Sequence, residues 1–494
     1  MQLKPLFIAM SLALAPAAHA ANLSDVFRDA QSYDAQYAAA RAAYEAGQEL
    51  SVQGKAGLLP NVSLSGNVQQ NWIDSTGVGG VSNDADFTSD NLGVTASQPL
   101  FRKQNWVQYK QSKEQVKIVG VQFRAAEQDL ILRVAQAYFD VLQSQDNIVF
   151  IHAQKAAISE QLASAKRNFE VGTATIIDTH EAQARYDLMV AQEIAEQNNL
   201  NIRLRALEKI TGKPTGSLDK LVEAPKLTDE PGGIDEWATR AADANLQAEI
   251  ARISKVIADQ QVEFNRAGHY PTVDAVASYY YYNNQNYGGV ALIDSNAANV
   301  GLQLNMPLYQ GGLVSSQVRQ AVANQEKARQ EVEAAAREAS QQARQAWLNV
   351  NSGVAQVKAL EQALTSVKAQ LDSTKLGQEV GVRTFLDVLN AEQQVLAARR
   401  DLASARYNYL LASLALKAAV GSLSPDDLAG IDKNLRPPSA ATTSSSLTDT
   451  GVAILHGKSG SPASVETTAA QGKGQRVQLK MATRAPTPTT SQQR

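Results

Sequence analysis

The chain is written twice, and no other feature of the sequence constrains its fold as much. Ala56-Gly57-Leu58-Leu59-Pro60-Asn61-Val62 returns as Ala267-Gly268-His269-Tyr270-Pro271-Thr272-Val273, and Gln98-Pro99-Leu100-Phe101 returns as Met306-Pro307-Leu308-Tyr309. Val171-Gly172 followed by Asp178 returns as Val380-Gly381 followed by Asp387, and Thr211-Gly212 returns as Val420-Gly421. The shift stays near about 210 residues, which marks a repeated domain-sized unit and not a solenoid, whose repeats run about 20–50 residues. The two units span 21–213 and 233–422, with a linker at 214–232. A chain of 494 residues would ordinarily suggest about three domains; the repeat replaces that estimate with one unit used twice.

Proline sets the boundaries within each unit, because an internal proline costs a helix about 3 kcal/mol and removes a donor from a strand. None occurs between Pro99 and Pro214, or between Pro307 and Pro425. These stretches are rich in alanine and glutamine, which favours helix. In the second, Trp347, Val350, Val354, Val357, Leu360, Leu364, Val367 and Leu371 recur in steps of three and four, and Val388, Val395, Leu402, Tyr409 and Leu416 fall seven apart. Both patterns are coiled-coil seams. Leu130, Val134, Ala137 and Val141, then Ile148, Ile151, Ile158 and Leu162, draw a similar stripe in the first unit. Long helices are therefore expected over 103–168 and 312–376, each about 100 Å in length at 1.5 Å per residue. The glycine turns Val171-Gly172-Thr173 and Val380-Gly381-Val382 end them, and Thr175 to Asp178 and Thr384 to Asp387 read as caps that start the return helices. Helical hairpins follow at 103–212 and 312–421, and each unit opens with a further helix.

Between these helices the period changes to two. Val62, Leu64, Gly66, Val68 and Trp72 alternate with small polar residues, as do Leu92, Val94 and Ala96. In the second unit Val273, Ala275, Ala277, Tyr279 and Tyr281 share one face, and Val300, Leu302, Leu304, Met306 and Leu308 share another. Strand pairs are expected at 60–76 with 86–101 and at 271–283 with 296–309. Their alternation suits a membrane strand of about 9–11 residues and equally a soluble hairpin resting on a core. Trp72 and the cluster Tyr279, Tyr280, Tyr281, Tyr282 and Tyr287 are candidates for a membrane interface. Four strands are too few for a membrane barrel, which takes at least about eight, so strands must be pooled between copies or the protein stays soluble.

Residues 1–20 read as an export signal. Lys4 supplies the positive start, Leu6 to Ala15 the apolar centre, and Ala18-His19-Ala20 the cleavage site, so that the mature chain begins at Ala21. No later apolar run is long enough for a spanning helix. The absence of cysteine excludes disulfides, thiol catalysis, zinc-thiolate sites and a lipidated amino-terminal cysteine. A net charge of −3 without a basic face argues against a nucleic-acid partner. His152, His180, His269 and His456 lack metal-ligand spacing. No nucleophile, base and orienting group assemble, so no enzyme and no cofactor are expected. A short capped helix is expected within 423–434, and a disordered tail rich in serine, threonine, alanine and proline over 435–494.

On these residues the chain resembles the TolC-type outer-membrane efflux proteins. The resemblance covers roughly residues 22–422, and its most specific parts are Pro-Leu-Tyr-Gln-Gly-Gly at 307–312, the ten residues 380–389 and Ala-Arg-Tyr-Asn-Tyr-Leu at 405–410. It implies a mainly α fold with β: a homotrimeric channel-tunnel whose shared twelve-stranded barrel crosses the outer membrane and continues as a long α-helical barrel in the periplasm. It implies a passive exit duct for small molecules and, with suitable partners, proteins, working with a periplasmic adaptor and an inner-membrane pump or ABC transporter. Asp178 and Arg383 match a link that holds the periplasmic end shut, and Gln161 matches the glutamine of a second link. Three positions depart from the family pattern. Gln378 replaces a tyrosine, Lys375 stands where a glutamate partners the glutamine, and Asn390 replaces the second of two pore aspartates. Asp387 matches the first, which in a trimer makes a ring of three carboxylates. The tips Val171, Gly172, Thr173, Val380, Gly381 and Val382 match the adaptor-docking turns. Asp178 and Asp387 read equally as helix caps, and a soluble periplasmic coiled-coil scaffold or adaptor without a pore is the alternative reading.

Overall fold

The computed structural model describes residues 20–76, 82–222, 231–284 and 295–437. The signal segment, Tyr287 and the tail from residue 438 onward lie outside them. The first unit runs α1 (Leu23–Tyr33), α2 (Ala35–Ala56), β1 (Asn61–Thr76), β2 (Ser82–Phe101), α3 (Lys103–Glu170) and α4 (Ile176–Thr211). A short strand β3 (Lys220–Leu221) follows. The second unit runs α5 (Ile234–Ala244), α6 (Leu246–Arg266), β4 (Thr272–Asn284), β5 (Ser295–Asn305), α7 (Leu313–Glu379) and α8 (Phe385–Ala419). The helix α9 (Pro425–Asp432) and the strand β6 (Leu435–Arg436) complete the described chain.

Where one opening helix per unit was expected, there are two. Asp34 and Asn245 adopt extended backbone that ends the first helix, and their side chains then cap the second: Asp34 accepts from the Tyr37 amide at 2.8 Å, and Asn245 accepts from Gln247 at 2.9 Å. Short side chains that hydrogen-bond their own backbone make good helix starts and poor helix interiors, which explains the break.

α3 and α7 contain 68 and 67 residues, about 100 Å each at 1.5 Å per residue. α3 packs on α4 and α7 on α8, the two helical hairpins. The heptad set of α8 is buried throughout: Val388, Val395, Leu402, Tyr409 and Leu416. Of the apolar stripe on α7, Val350, Val354 and Val357 are buried, while Trp347, Leu360, Leu364, Val367 and Leu371 remain half-covered. The two units meet in one core formed by Leu130, Val134, Tyr138 and Phe139 of α3, Tyr407, Leu410 and Leu414 of α8, Trp237 of α5 and Leu428 of α9.

The described start of the linker, 214–222, and the start of the expected tail pack with this core, contrary to the sequence reading. Leu218 is buried, β3 pairs antiparallel with β6 through Lys220–Arg436 and Leu221–Leu435, and Leu435 is itself buried. Two apolar side chains and a two-residue ladder are enough to order segments whose composition reads as loop. β5 also stops at Asn305 rather than 309, because Pro307 has no donor with which to continue the ladder.

The four long strands form one antiparallel sheet in the order β1-β2-β4-β5, so that β2 of the first unit pairs with β4 of the second. The register aligns Val62, Ala96, Ala277 and Val300 in one row, and Leu64, Val94, Tyr279 and Ala298 in the next. The opposite face carries Ser63, Thr95, Ser278 and Asn299, then Ser65, Gly93, Tyr280 and Ala297. The described tyrosines expected at a membrane interface therefore divide between the two faces. Successive strand side chains point to opposite faces, so Tyr279 and Tyr281 share the apolar face while Tyr280 and Tyr282 lie on the polar one.

Candidate functional site: an uncovered sheet and two coiled tips

The apolar face of the sheet is bare in the single chain. Val300 is 89% exposed, Trp72 75% and Leu302 73%, with Val62, Leu64, Val68 and Leu304 similarly open. Beyond this band the same face of the sheet turns acidic at Asp90, Asp86 and Asp74, and Trp72 stands at the change. On the polar face, the Tyr280 and Tyr282 rings stack with centroids 5.7 Å apart, and the Tyr280 hydroxyl lies 3.1 Å from Thr95 Oγ1. Gly93 makes room for this arrangement, since a Cβ there would fall 2.2 Å from the Tyr280 ring. Where the sheet meets the helices, Arg102 donates to both carboxylate oxygens of Asp274, at 2.7 and 2.6 Å. That bidentate pair was not singled out in the sequence, because its partners lie 172 residues apart. No described helix is long and apolar enough to cross a membrane.

At the opposite end of the coils the two tips are copies of each other. Gly172 and Gly381 both have φ of +77°. Each turn closes on the last helical turn, Thr173 N donating to the Asn168 carbonyl and Val382 N to the Gly377 carbonyl, both at 2.8 Å. This is a glycine-terminated helix end in which the left-handed residue lets the chain reverse. The return helices then start in two capping boxes. Asp178 Oδ2 accepts from the Thr175 amide and hydroxyl at 2.8 Å, and Asp387 Oδ2 accepts from the Thr384 amide and hydroxyl at 2.9 Å. Hydrogen bonds from the threonine amides hold both carboxyls below the usual carboxylate range, with Arg383 adding to the effect at Asp387. Both are therefore ionised at neutral pH.

All but one of the remaining candidate residues gather on the second hairpin. Arg383, Asp387 and Asn390 line a shallow cavity with Gln370, Ser373 and Gln394. Arg383 is exposed and packs its aliphatic stem against Gly377, and Gln378 is half-buried. Lys375 is tied within its own hairpin to Glu392 at 2.9 Å. Gln161, on α3, has a buried Oε1 with no partner among the described residues. Among the described residues no hydrogen bond or ion pair joins Asp178 to Arg383 within the chain. The sequence reading missed Glu392, whose only signal was its position on the helix face opposite Lys375.

Residues 26–213 and 238–422 match the outer membrane efflux protein family. The chain belongs to that family. It is 34% identical over 442 residues to the outer membrane protein TolC of Vibrio cholerae, covering 88% of this chain and 99% of that one. It is 32% identical over 436 residues to the alkaline protease secretion protein AprF of Pseudomonas aeruginosa, covering 86% and 89%. Among solved structures, the Campylobacter jejuni CmeC outer membrane channel superposes with a TM-score of 0.70 at 17% identity, over 84% of this chain and 89% of that one. The fold is thus the mainly α channel-tunnel with β-strands that these proteins share. As a member of the family the chain is an outer-membrane exit duct with a long periplasmic part, and the soluble scaffold reading is set aside.

Proposed function

We propose that three copies of this chain pool their strands in a twelve-stranded barrel, with β1 of one copy pairing with β5 of the next. One observation carries the reading: a sheet with a bare apolar face whose two edge strands, β1 and β5, each have a single neighbour among the described residues. In lipid every unpaired backbone group costs several kcal/mol, so such a sheet must close, and four strands cannot close alone. The apolar band, with Trp72, Tyr279 and Tyr281 at its rim, faces outer-membrane lipid, and the serine- and asparagine-lined face surrounds water.

The helical hairpins continue the passage through the periplasm. Their tips, Val171-Gly172-Thr173 and Val380-Gly381-Val382, dock a periplasmic adaptor that couples the duct to an inner-membrane pump or ABC transporter. Asp178 and Arg383 serve as a link between neighbouring coils, supported by the absence, among the described residues, of any hydrogen bond or ion pair between the two within one chain. The Gln161 side-chain oxygen is buried without a partner among the described residues, Lys375 is held by Glu392, and Gln378 cannot supply a phenol. The gate of this protein therefore leans on Asp178 and Arg383. Asp387 and Asn390 line the narrowest part of the passage. The cargo is small molecules and, through a type I secretion arrangement, proteins; the likeness to protease secretion proteins supports the second class. Transport is passive, with no catalytic step and no cofactor.

The test is fractionation followed by electrophysiology. The expected result is a heat-dissociable trimer extracted from the outer membrane that conducts ions in planar bilayers. A freely soluble, non-conducting monomer overturns the reading.

A further inference from the structure

The residues that follow the export signal are built into the core. Ala21 forms a parallel bridge with Leu218: its nitrogen donates to the Ser217 carbonyl at 2.9 Å, and its carbonyl accepts from the Asp219 amide at 3.1 Å. The Tyr138 hydroxyl, from α3, reaches the same Ala21 carbonyl at 3.3 Å and the Asp219 carbonyl at 2.8 Å. Immediately afterwards, the free amides of Leu23 and Ser24 at the start of α1 donate to the Asp432 carboxylate of α9 at 3.0 and 3.3 Å. Residues 21–24 are thus held by the linker, by α3 and by α9.

The Asp219 side chain is left over in this arrangement. The residue is 8% exposed, and its Oδ1 is buried without a hydrogen-bond partner among the described residues. Its surroundings are acidic: Asp25 from α1 and Asp432 from α9 both act on it, and together with burial they push its carboxyl above the usual carboxylate range. Tyr138 meets its backbone and not its carboxyl. Lys220, next in the chain, acts on Asp146. A buried acceptor without a partner is costly, and a buried carboxylate without a cation more so.

The missing cation is formed when the export signal is removed. While Ala20 is attached, the nitrogen of Ala21 is an amide with one proton, already given to Ser217. Hydrolysis of the Ala20–Ala21 bond by a signal peptidase consumes one water. The carbonyl carbon takes the oxygen and leaves on the released leader as a carboxylate, and the nitrogen retains its electron pair and is protonated. An ammonium with three donors then occupies the place of an amide with one. We infer that the α-ammonium of Ala21, released by cleavage after Ala20, pairs with the carboxylate of Asp219, so that processing itself fastens the amino terminus to the core.

The sign of the pH dependence follows. An amine that gains a partner on folding has its pKa raised above its ordinary range of about 7.7–8.0. Its stabilisation is complete below that range and disappears as pH rises through the higher folded value. The test compares the mature protein purified from outer membranes, the Asp219→Asn variant, and a variant with one glycine inserted between Ala20 and Ala21, which moves the ammonium along the chain by about 3.8 Å. Mass spectrometry of the amino-terminal peptide is expected to show Ala21 first in the unaltered protein. Between pH 7 and 10 its thermal midpoint is expected to fall by about 2 °C more than that of either variant. The difference in slope is the readout, because removing an acid from an acidic cluster shifts the midpoint at every pH. A different first residue, or parallel slopes in the unaltered protein and Asp219→Asn, overturns the inference. Neither result depends on conductance, so the duct reading stands or falls separately.

Discussion

Arg102 holds Asp274 with two charge-assisted hydrogen bonds, joining the first residue before α3 in one repeat to β4 in the other. The two ends of the bridge are unequally placed: the Asp274 residue is 4% exposed, while the Arg102 side chain is 43% exposed. Removing the arginine leaves a buried carboxylate unpaired, whereas removing the aspartate leaves a guanidinium that water can reach. Arg102→Ala is therefore expected to destabilise by about 3 kcal/mol and Asp274→Ala by about 1 kcal/mol. Thermal unfolding in detergent measures both, and equal losses would count against the asymmetry.

Gly93 and Tyr280 form a second testable pair. A methyl group at Gly93 cannot coexist with the Tyr280 ring as placed, and the ring is fixed by its stacking on Tyr282 and its contact with Thr95. Gly93→Ala is expected to cost about 1–3 kcal/mol through overpacking. Tyr280→Ala in the same chain should return much of that loss. The heat resistance of the assembled protein reports the effect, and a strictly additive double variant would show that the ring and the glycine are not coupled.

In the core, Tyr407 donates to Asp146 at 2.7 Å, yet burial still pushes the Asp146 carboxyl above its ordinary range. A carboxyl raised by folding binds its proton more tightly in the native state, so stability rises as pH falls through the folded value. Asp146→Asn keeps an acceptor for the tyrosine and removes the charge. Its thermal midpoint at pH 7 is expected to rise, and the gain of the unaltered protein on acidification toward pH 5 is expected to shrink. An unchanged pH profile would remove Asp146 from the account.

In the trimer we propose, Asp387 supplies one carboxylate ring and Asn390 withholds a second. Block of the conductance by multivalent cations is expected to be weaker than in relatives that carry both aspartates, and Asp387→Asn is expected to abolish most of what remains. Because Thr384 still caps α8 through its hydroxyl, the variant should keep its fold. Strong block that survives the substitution would refute the assignment.

The same hydrogen bonds predict an acid limit for the tips. Asp178 and Asp387 have depressed pKa values, so the stability they add is present above their ordinary range and is lost as pH falls below about 4. Hydrogen exchange of the Thr175 and Thr384 amides should quicken over that window relative to mid-helix amides. Protection that is flat with pH would mean the boxes contribute nothing.

Local period determined a large part of this protein from sequence alone. The heptads of α8, the capping boxes at Thr175 and Thr384 and the glycine turns at Gly172 and Gly381 all depend on residues within one or two turns of each other. The same is true of strand alternation, which already assigns Tyr280 and Tyr282 to the face opposite Tyr279 once it is applied residue by residue. Tertiary structure alone decided the rest. The pairing of β2 with β4, the Arg102–Asp274 bridge, the seat of Ala21 beside Asp219, the tie between Ser24 and Asp432 and the capture of Lys375 by Glu392 join residues whose separation leaves no periodic trace. A hydrogen bond or ion pair needs only that two groups meet in space, and that meeting is fixed by how the helices of a hairpin, the two repeats and the flanking segments dock. Only there did a segment with the composition of a linker become part of the core.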